Sequence, residues 1–198
     1  MSLNHIPQER LSYDSYIALV EQLVEEQKTT GPDQSALLAN FTALNSVRMQ
    51  RITKTIPLKE SLFAKISQLK RQYIFIVITE AWCGDAAQIL PVIAKMAEAN
   101  PHQIDLFIVL RDNNLDYMDR YLTNGSRGIP KLIVYDVVEN KEILNWGPRP
   151  KELQDYIESL KALGLSKEEW IEKVMLWYAK DKTKTTQAAL EAVIDQLE

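Results

Sequence analysis

One side chain in this sequence combines nucleophilic or redox chemistry with a position suited to using it: Cys83, the only cysteine among 198 residues. It follows a β-branched run, Tyr73 to Thr79, and precedes a stretch in which Ile89, Leu90, Ile93 and Met96 recur at helical spacing. That order places the sulfur just past the end of a strand and in the first turn of a helix. Backbone N–H groups there carry partial positive charge and favour a thiolate. Acting alone, a helix terminus brings a thiol from about 8.5 to between about 7 and 8. Asp85 opposes this if its carboxylate faces the sulfur, because like charges disfavour ionisation. The expectation is a moderately activated thiol. The competing reading is a small buried apolar residue, as most lone cysteines are; against it, Trp82 and Gly84 on either side make a poor core environment.

Other chemistries find little support. A single cysteine excludes an internal disulfide framework. His5 and His102 are far apart and no cysteine pair accompanies them, so the spacing of a zinc site is missing. His102, after Asn100-Pro101, reads as a turn residue. There is no glycine-rich phosphate loop and no serine-centred hydrolase motif.

The elements that must position Cys83 can be read from periodicity. Two amphipathic helices open the chain, the first with Tyr16, Ile17, Val20, Leu23 and Val24 on one face, ended by Gly31-Pro32. The second carries Leu37, Leu38, Phe41, Leu44 and Val47 towards the core, and Ile52 to Ile56 is either its tail or a short strand. A third helix follows Pro57, with Leu62, Ile66 and Leu69 on one face. Beyond the strand and helix that flank Cys83, a second strand spans Ile104 to Leu110. A short helix from Leu115 to Leu122 stops at Asn124-Gly125. Strands Lys131 to Val137 and Glu142 to Trp146 are joined through Glu139-Asn140-Lys141 as a hairpin. Pro150 suits a first helical position before Leu153, Tyr156, Ile157 and Leu160. Ser166 and Glu169 form a capping-box pattern ahead of Trp170, Ile171, Val174 and Trp177, and a last helix carries Leu190, Val193, Ile194 and Leu197. Strands alternating with helices and closing on a hairpin imply an α/β fold, a mixed sheet with helices on both faces.

Length and composition agree with one sizeable core. The formal charge of −4 is spread along the chain, without the basic stripe of a nucleic-acid binder; the local cluster Arg48, Arg51 and Lys54 reads as a solvated face. The longest apolar run, Ile74 to Ile78, is far too short to cross a bilayer. The first residues lack the pattern of a secretory leader. With one cysteine, these features point to a reducing compartment, the cytoplasm by default, and to no membrane or nucleic-acid partner.

The segment Thr79-Glu80-Ala81-Trp82-Cys83-Gly84-Asp85-Ala86 resembles the active site of thioredoxins, where W-C-G-x-C opens the helix. Arg127-Gly128-Ile129-Pro130, followed by the strand from Lys131, is similar to the thioredoxin segment that holds a cis-proline. The hairpin, Gly147 and the helix from Lys151 fall in the family's order. The resemblance covers roughly residues 56–163. It implies a thioredoxin-like three-layer α/β/α sandwich at 56–163, with a helical extension at 1–55 packed on it and another at 164–198, the whole one compact unit. It implies a cis Ile129-Pro130 peptide beside the sulfur. It also implies a shallow apolar groove lined by Trp82, Ile129, Pro130 and Gly147, with Gly84 and Asp85 at its edge, where the backbone before the proline pairs with a bound peptide.

Two departures bear on function. The family's resolving cysteine is replaced by Ala86, and the buried acid that assists proton transfer in the family by Val77; Glu80, the nearest carboxylate in sequence, is the candidate to substitute for that acid in proton transfer, or else a solvated or salt-bridged acid. Without a second thiol the chain cannot release a mixed disulfide by itself. The first reading is a monothiol redox protein: Cys83 forms mixed disulfides with protein or small-molecule thiols and disulfides, an external low-molecular-weight thiol resolves them, and no bound cofactor is needed. The second is a redox-inactive module that keeps the groove for peptide or protein partners, with the flanking helices and Trp170 and Trp177 extending the surface or packing on the core. A glutaredoxin-like cluster carrier has only the lone cysteine in its favour. The oligomeric state stays open.

Overall fold

The computed structural model describes residues 1–197. In chain order its elements are β1 (Leu11–Ser12), α1 (Tyr13–Glu25), α2 (Ala36–Thr55), α3 (Glu60–Gln68), β2 (Tyr73–Thr79), α4 (Gly84–Ala99), β3 (Ile104–Leu110), α5 (Leu115–Met118), β4 (Lys131–Asp136), β5 (Lys141–Trp146), α6 (Lys151–Ala162), α7 (Lys167–Asp181) and α8 (Lys184–Ile194). The sheet is mixed, in the order β1-β3-β2-β4-β5. β2 is central, parallel to β3 (Tyr73 opposite Ile104, Thr79 opposite Leu110) and antiparallel to β4 (Val77 opposite Leu132).

The apolar run of β2 is continuous because both faces of the strand are covered. Alternate residues point to opposite sides. Phe75 and Val77 join the core under α1, α2, α4, α6, α7 and α8. Ile76 and Ile78 join a second core with Ile133, Tyr135, Tyr117 and Met118, capped by Ile6 of the N-terminal segment. Each such side chain, fully removed from water, contributes about 1.5–3 kcal/mol, so β2 anchors the frame from which Cys83 projects.

Several local expectations hold: the hairpin from β4 to β5, the His102 turn, and the capping box, in which Ser166 accepts the Glu169 N–H while the Glu169 carboxylate accepts the Ser166 N–H. Others change. Ile52–Thr55 is the tail of α2, not a strand, and Ile56 caps it. Pro150 caps α6 from outside instead of opening it. The helix at Leu115 is α5 alone and continues as a single 3₁₀ turn over Asp119–Tyr121. β1 was not legible: two residues hydrogen-bonded antiparallel to β3 are too short to show a period.

The main correction concerns α2. Leu37, Leu44 and Val47 are exposed, and the buried face carries Ala39, Thr42, Asn45, Ser46, Met49 and Ile52. Two of its polar residues are accommodated there because each finds a partner. The Thr42 hydroxyl bonds to that of Thr29, and Asn45 Nδ2 donates to the Ala81 carbonyl at 2.9 Å. A buried polar group that is hydrogen-bonded costs little, and the pair Asn45–Ala81 ties α2 to the loop that carries Cys83.

Candidate functional site

Cys83 is the N-cap of α4. Its Sγ accepts the Ala86 N–H at 3.5 Å, satisfying one of the orphan donors of the helix terminus. The thiol donates in turn to the Ile129 carbonyl at 3.4 Å. The Ile129-Pro130 peptide is cis, and so is Gly147-Pro148, which the sequence reading did not anticipate. At φ +114°, Gly147 lies so close to the proline that a Cβ there would sit 2.4 Å from the Pro130 carbonyl oxygen; only glycine fits.

The expectation of a moderately activated thiol is overturned. Cys83 is 7% exposed, and its pKa is pushed up to about 12, by burial first and then by the Asp85 carboxylate. The Ala86 N–H and the Arg149 guanidinium pull the other way and lose. The helix terminus acts as expected in direction, but burial of the sulfur, in a cavity wall completed by residues of α2 and α7, outweighs it.

Asp85 is the second buried group at the helix start. Its Oδ2 accepts Arg149 Nε at 2.9 Å and pairs with Nη2 at 2.7 Å. Its Oδ1 accepts the Tyr178 hydroxyl of α7 at 2.8 Å. Burial, then the adjacent carboxylate, holds the Tyr178 phenol well above its ordinary value. The Asp85 carboxylate thus clamps three elements: α4, the loop before α6, and α7.

Glu80 is neither solvated nor salt-bridged among the described residues. It is fully buried, and its Oε1 accepts the Asp112 N–H at 2.8 Å while Oε2 has no hydrogen-bond partner. Burial raises its pKa. No hydrogen bond joins its side chain to Cys83; its backbone carbonyl accepts the Cys83 N–H at 3.1 Å.

The groove expected at the sulfur is a deeper cavity of about 260 Å³. Trp82, Cys83, Gly84, Asp85 and Ile129 line it; Pro130 and Gly147 do not. The remaining walls come from Leu38, Phe41, Asn45 and Arg48 of α2, Arg149, and Lys167, Trp170, Ile171, Val174 and Met175 of α7. The Arg111 guanidinium packs over the outer Trp82 ring, 4.8 Å from its centroid. Arg48, expected on a solvated face, turns into the cavity instead. Trp170 lines it too, whereas Trp177 packs on the core edge-to-face with Tyr178. Sequence reasoning missed Asn45, Arg48, Arg149 and Tyr178. The one available signal was Asn45, a polar residue one helical turn from both Phe41 and Met49. Among the described residues no group of three or more His, Cys, Asp or Glu side chains is placed to hold a metal, and no helix is long and apolar enough to cross a membrane.

Behind the cis-proline, Lys131 is 3% exposed and donates to Thr123 Oγ1 at 2.7 Å and to the Gly147 carbonyl at 2.9 Å. Burial lowers its pKa to about 8. Below about pH 8 folded and unfolded chains both hold this proton, and the cost of the buried cation is present in full. From there to about 10.4 the unfolded chain binds the proton more, so stability rises with pH, by about 3 kcal/mol at most. Lys131→Met is therefore expected to be more stable than the wild type at neutral pH, with the gap narrowing over that window. Urea unfolding of both proteins across it measures the difference, and the contribution of Cys83 is common to both.

A cysteine capping the helix after the central strand of a mixed sheet, facing a cis-proline, defines a thioredoxin-like α/β protein with a single thiol and added helices at both ends. Residues 31–161 match the thioredoxin family Thioredoxin_9, and the chain belongs to that family. A protein of unknown function from Pseudomonas aeruginosa, PA1234, has a similar structure, with a TM-score of 0.59 at 20% identity over 93% of this chain and 98% of its own. An HIV epitope-scaffold is similar at a TM-score of 0.57 and 19% identity, again over 93% and 98%. At such identities the likeness is one of fold. No curated protein matches the chain.

Proposed function

We propose that this protein is a thioredoxin-fold binding module in which the cavity over Cys83 receives an apolar partner group, with the thiol as a protonated part of the wall. The observation that carries this reading is the state of the sulfur. It is buried, hydrogen-bonded on both sides and held at a pKa of about 12, whereas thiol–disulfide exchange needs a thiolate. In the backbone before Pro130, which the family resemblance assigns to peptide pairing, the Ile129 carbonyl accepts from the Cys83 thiol.

One observation favours the monothiol alternative: the sulfur lines the cavity, so a small disulfide entering it would meet Sγ. In that case the Cys83 thiolate would attack the disulfide, one thiolate would leave, and an external thiol would regenerate Cys83, since the chain holds no second cysteine.

Calorimetric titration with decanol, a neutral apolar probe, and intact-mass analysis after incubation with oxidised glutathione separate the two. Decanol is expected to bind wild type and Cys83→Ser alike, with no glutathione adduct on the native protein. Rapid, complete adduct formation would instead establish the monothiol reading.

A further inference from the structure

The charges around the cavity do not balance, and the imbalance is placed at one residue. Among the described residues the one carboxylate in its wall is Asp85, which is committed on both oxygens, to Arg149 and to Tyr178. Arg149 is therefore neutralised. Arg48 is not. It is half-buried, its Nη1 donates to Asn45 Oδ1 at 3.0 Å, and it forms no ion pair among the described residues. Burial, and then the charge of Arg51, hold it below its ordinary pKa, although a guanidinium stays protonated. Asn45, anchored to the Ala81 carbonyl at 2.9 Å, fixes the guanidinium over the start of α4, where Nη1 stands 3.8 Å from the position of a Cβ on Gly84. Lys167, at the first position of α7, adds a second, exposed cation at the wall.

The rest of the surface is apolar: Leu38, Phe41, Ile129, Trp170, Val174 and Met175. An apolar cavity of about 150 Å³ holds benzene, so this one has room for a larger body, on the order of ten heavy atoms. Resting on the binding-module reading, we propose that the cavity takes a small amphipathic monocarboxylate. Its apolar body packs between α2 and α7, and its carboxylate pairs with the Arg48 guanidinium. A planar guanidinium matches a carboxylate with two parallel N–H···O bonds. A phosphate monoester carries about two charges and would need a second buried cation, but Arg149 is spent on Asp85.

The test is calorimetric titration of the full chain with decanoate, decanol and decylamine, in wild type, Arg48→Gln and Arg48→Lys. Decanoate is expected to bind the wild type about tenfold more tightly than decanol, the equivalent of about 1.4 kcal/mol, and decylamine more weakly than either. Arg48→Gln should abolish the margin of decanoate over decanol measured on that same variant, and Arg48→Lys should keep part of it. Equal binding of decanoate and decanol to the wild type overturns the carboxylate assignment while the binding-module reading stands. A decanoate margin that survives Arg48→Gln overturns the role of Arg48. Failure of all three probes to bind overturns both readings. The wild-type comparison requires no variant to fold.

Discussion

Native Cys83 should react with iodoacetamide at pH 8 more than roughly two-thousandfold more slowly than the same residue in the unfolded chain. A thiol held at about 12 has about one part in ten thousand as thiolate at that pH, against about a quarter for an unperturbed thiol near 8.5. Its low exposure and the helices above it add a steric term of the same sign. The measurement is the alkylation rate against pH, with the urea-unfolded chain as reference. A native rate that follows a pKa at or below about 8.5 would show the sulfur to be open and activated, and the monothiol reading would replace the binding module. Linkage supplies a second readout. Because the folded pKa lies above the unfolded one, Cys83 contributes stability below about pH 8.5 that is lost as pH rises towards about 12. Cys83→Ala should lose that alkaline limb. In this window Lys131 acts in the opposite sense, so the two side chains are separable only through their variants.

Asp85→Asn should be among the most destabilising single substitutions near the site, by about 3–5 kcal/mol. It leaves the Arg149 guanidinium buried without its counter-charge. For a chain of this length that corresponds to a fall in Tm of roughly 6–20 °C. Tyr178→Phe removes only the hydrogen bond from α7 to the same carboxylate and should cost less, about 1.5–3 kcal/mol. The substitution at Asp85 has a chemical consequence too. Its carboxylate is the second cause, after burial, of the raised Cys83 pKa, and Arg149 opposes it. With the carboxylate neutral, the thiol should ionise more readily and alkylation below the pKa should speed up by about tenfold. A destabilised variant whose alkylation rate in the folded state is unchanged would show that Asp85 does not act on the sulfur. Thermal unfolding and the alkylation profile of the same sample provide both numbers.

What could be read in advance was whatever local sequence decides. β2 declared itself because a strand buried on both faces must be apolar at every position. The cap of α7 needed only Ser166 and Glu169, and the cis-proline and Gly147 followed from the resemblance of segments read in order. The position of Cys83 at a helix terminus was legible for the same reason, as was the direction in which Asp85 acts on it. The face of α2 was not. Leu37, Leu44 and Val47 are apolar and exposed while Thr42 and Asn45 are polar and buried, because their hydrogen-bond partners lie on other segments.

The same division settles the chemistry of the site. The single thiol, its place at the start of α4 and the lack of a second cysteine to resolve a mixed disulfide all follow from the order of residues along the chain. Packing of distant segments sets the rest: α2 and α7 complete the cavity wall at that thiol, Asp85 is tied to Arg149 and Tyr178, and Arg48 has no ion-pair partner among the described residues. The physical reason is that a helix terminus acts within its own first turn, whereas desolvation depends on every segment that excludes water from the sulfur. Those segments lie far from Cys83 along the chain.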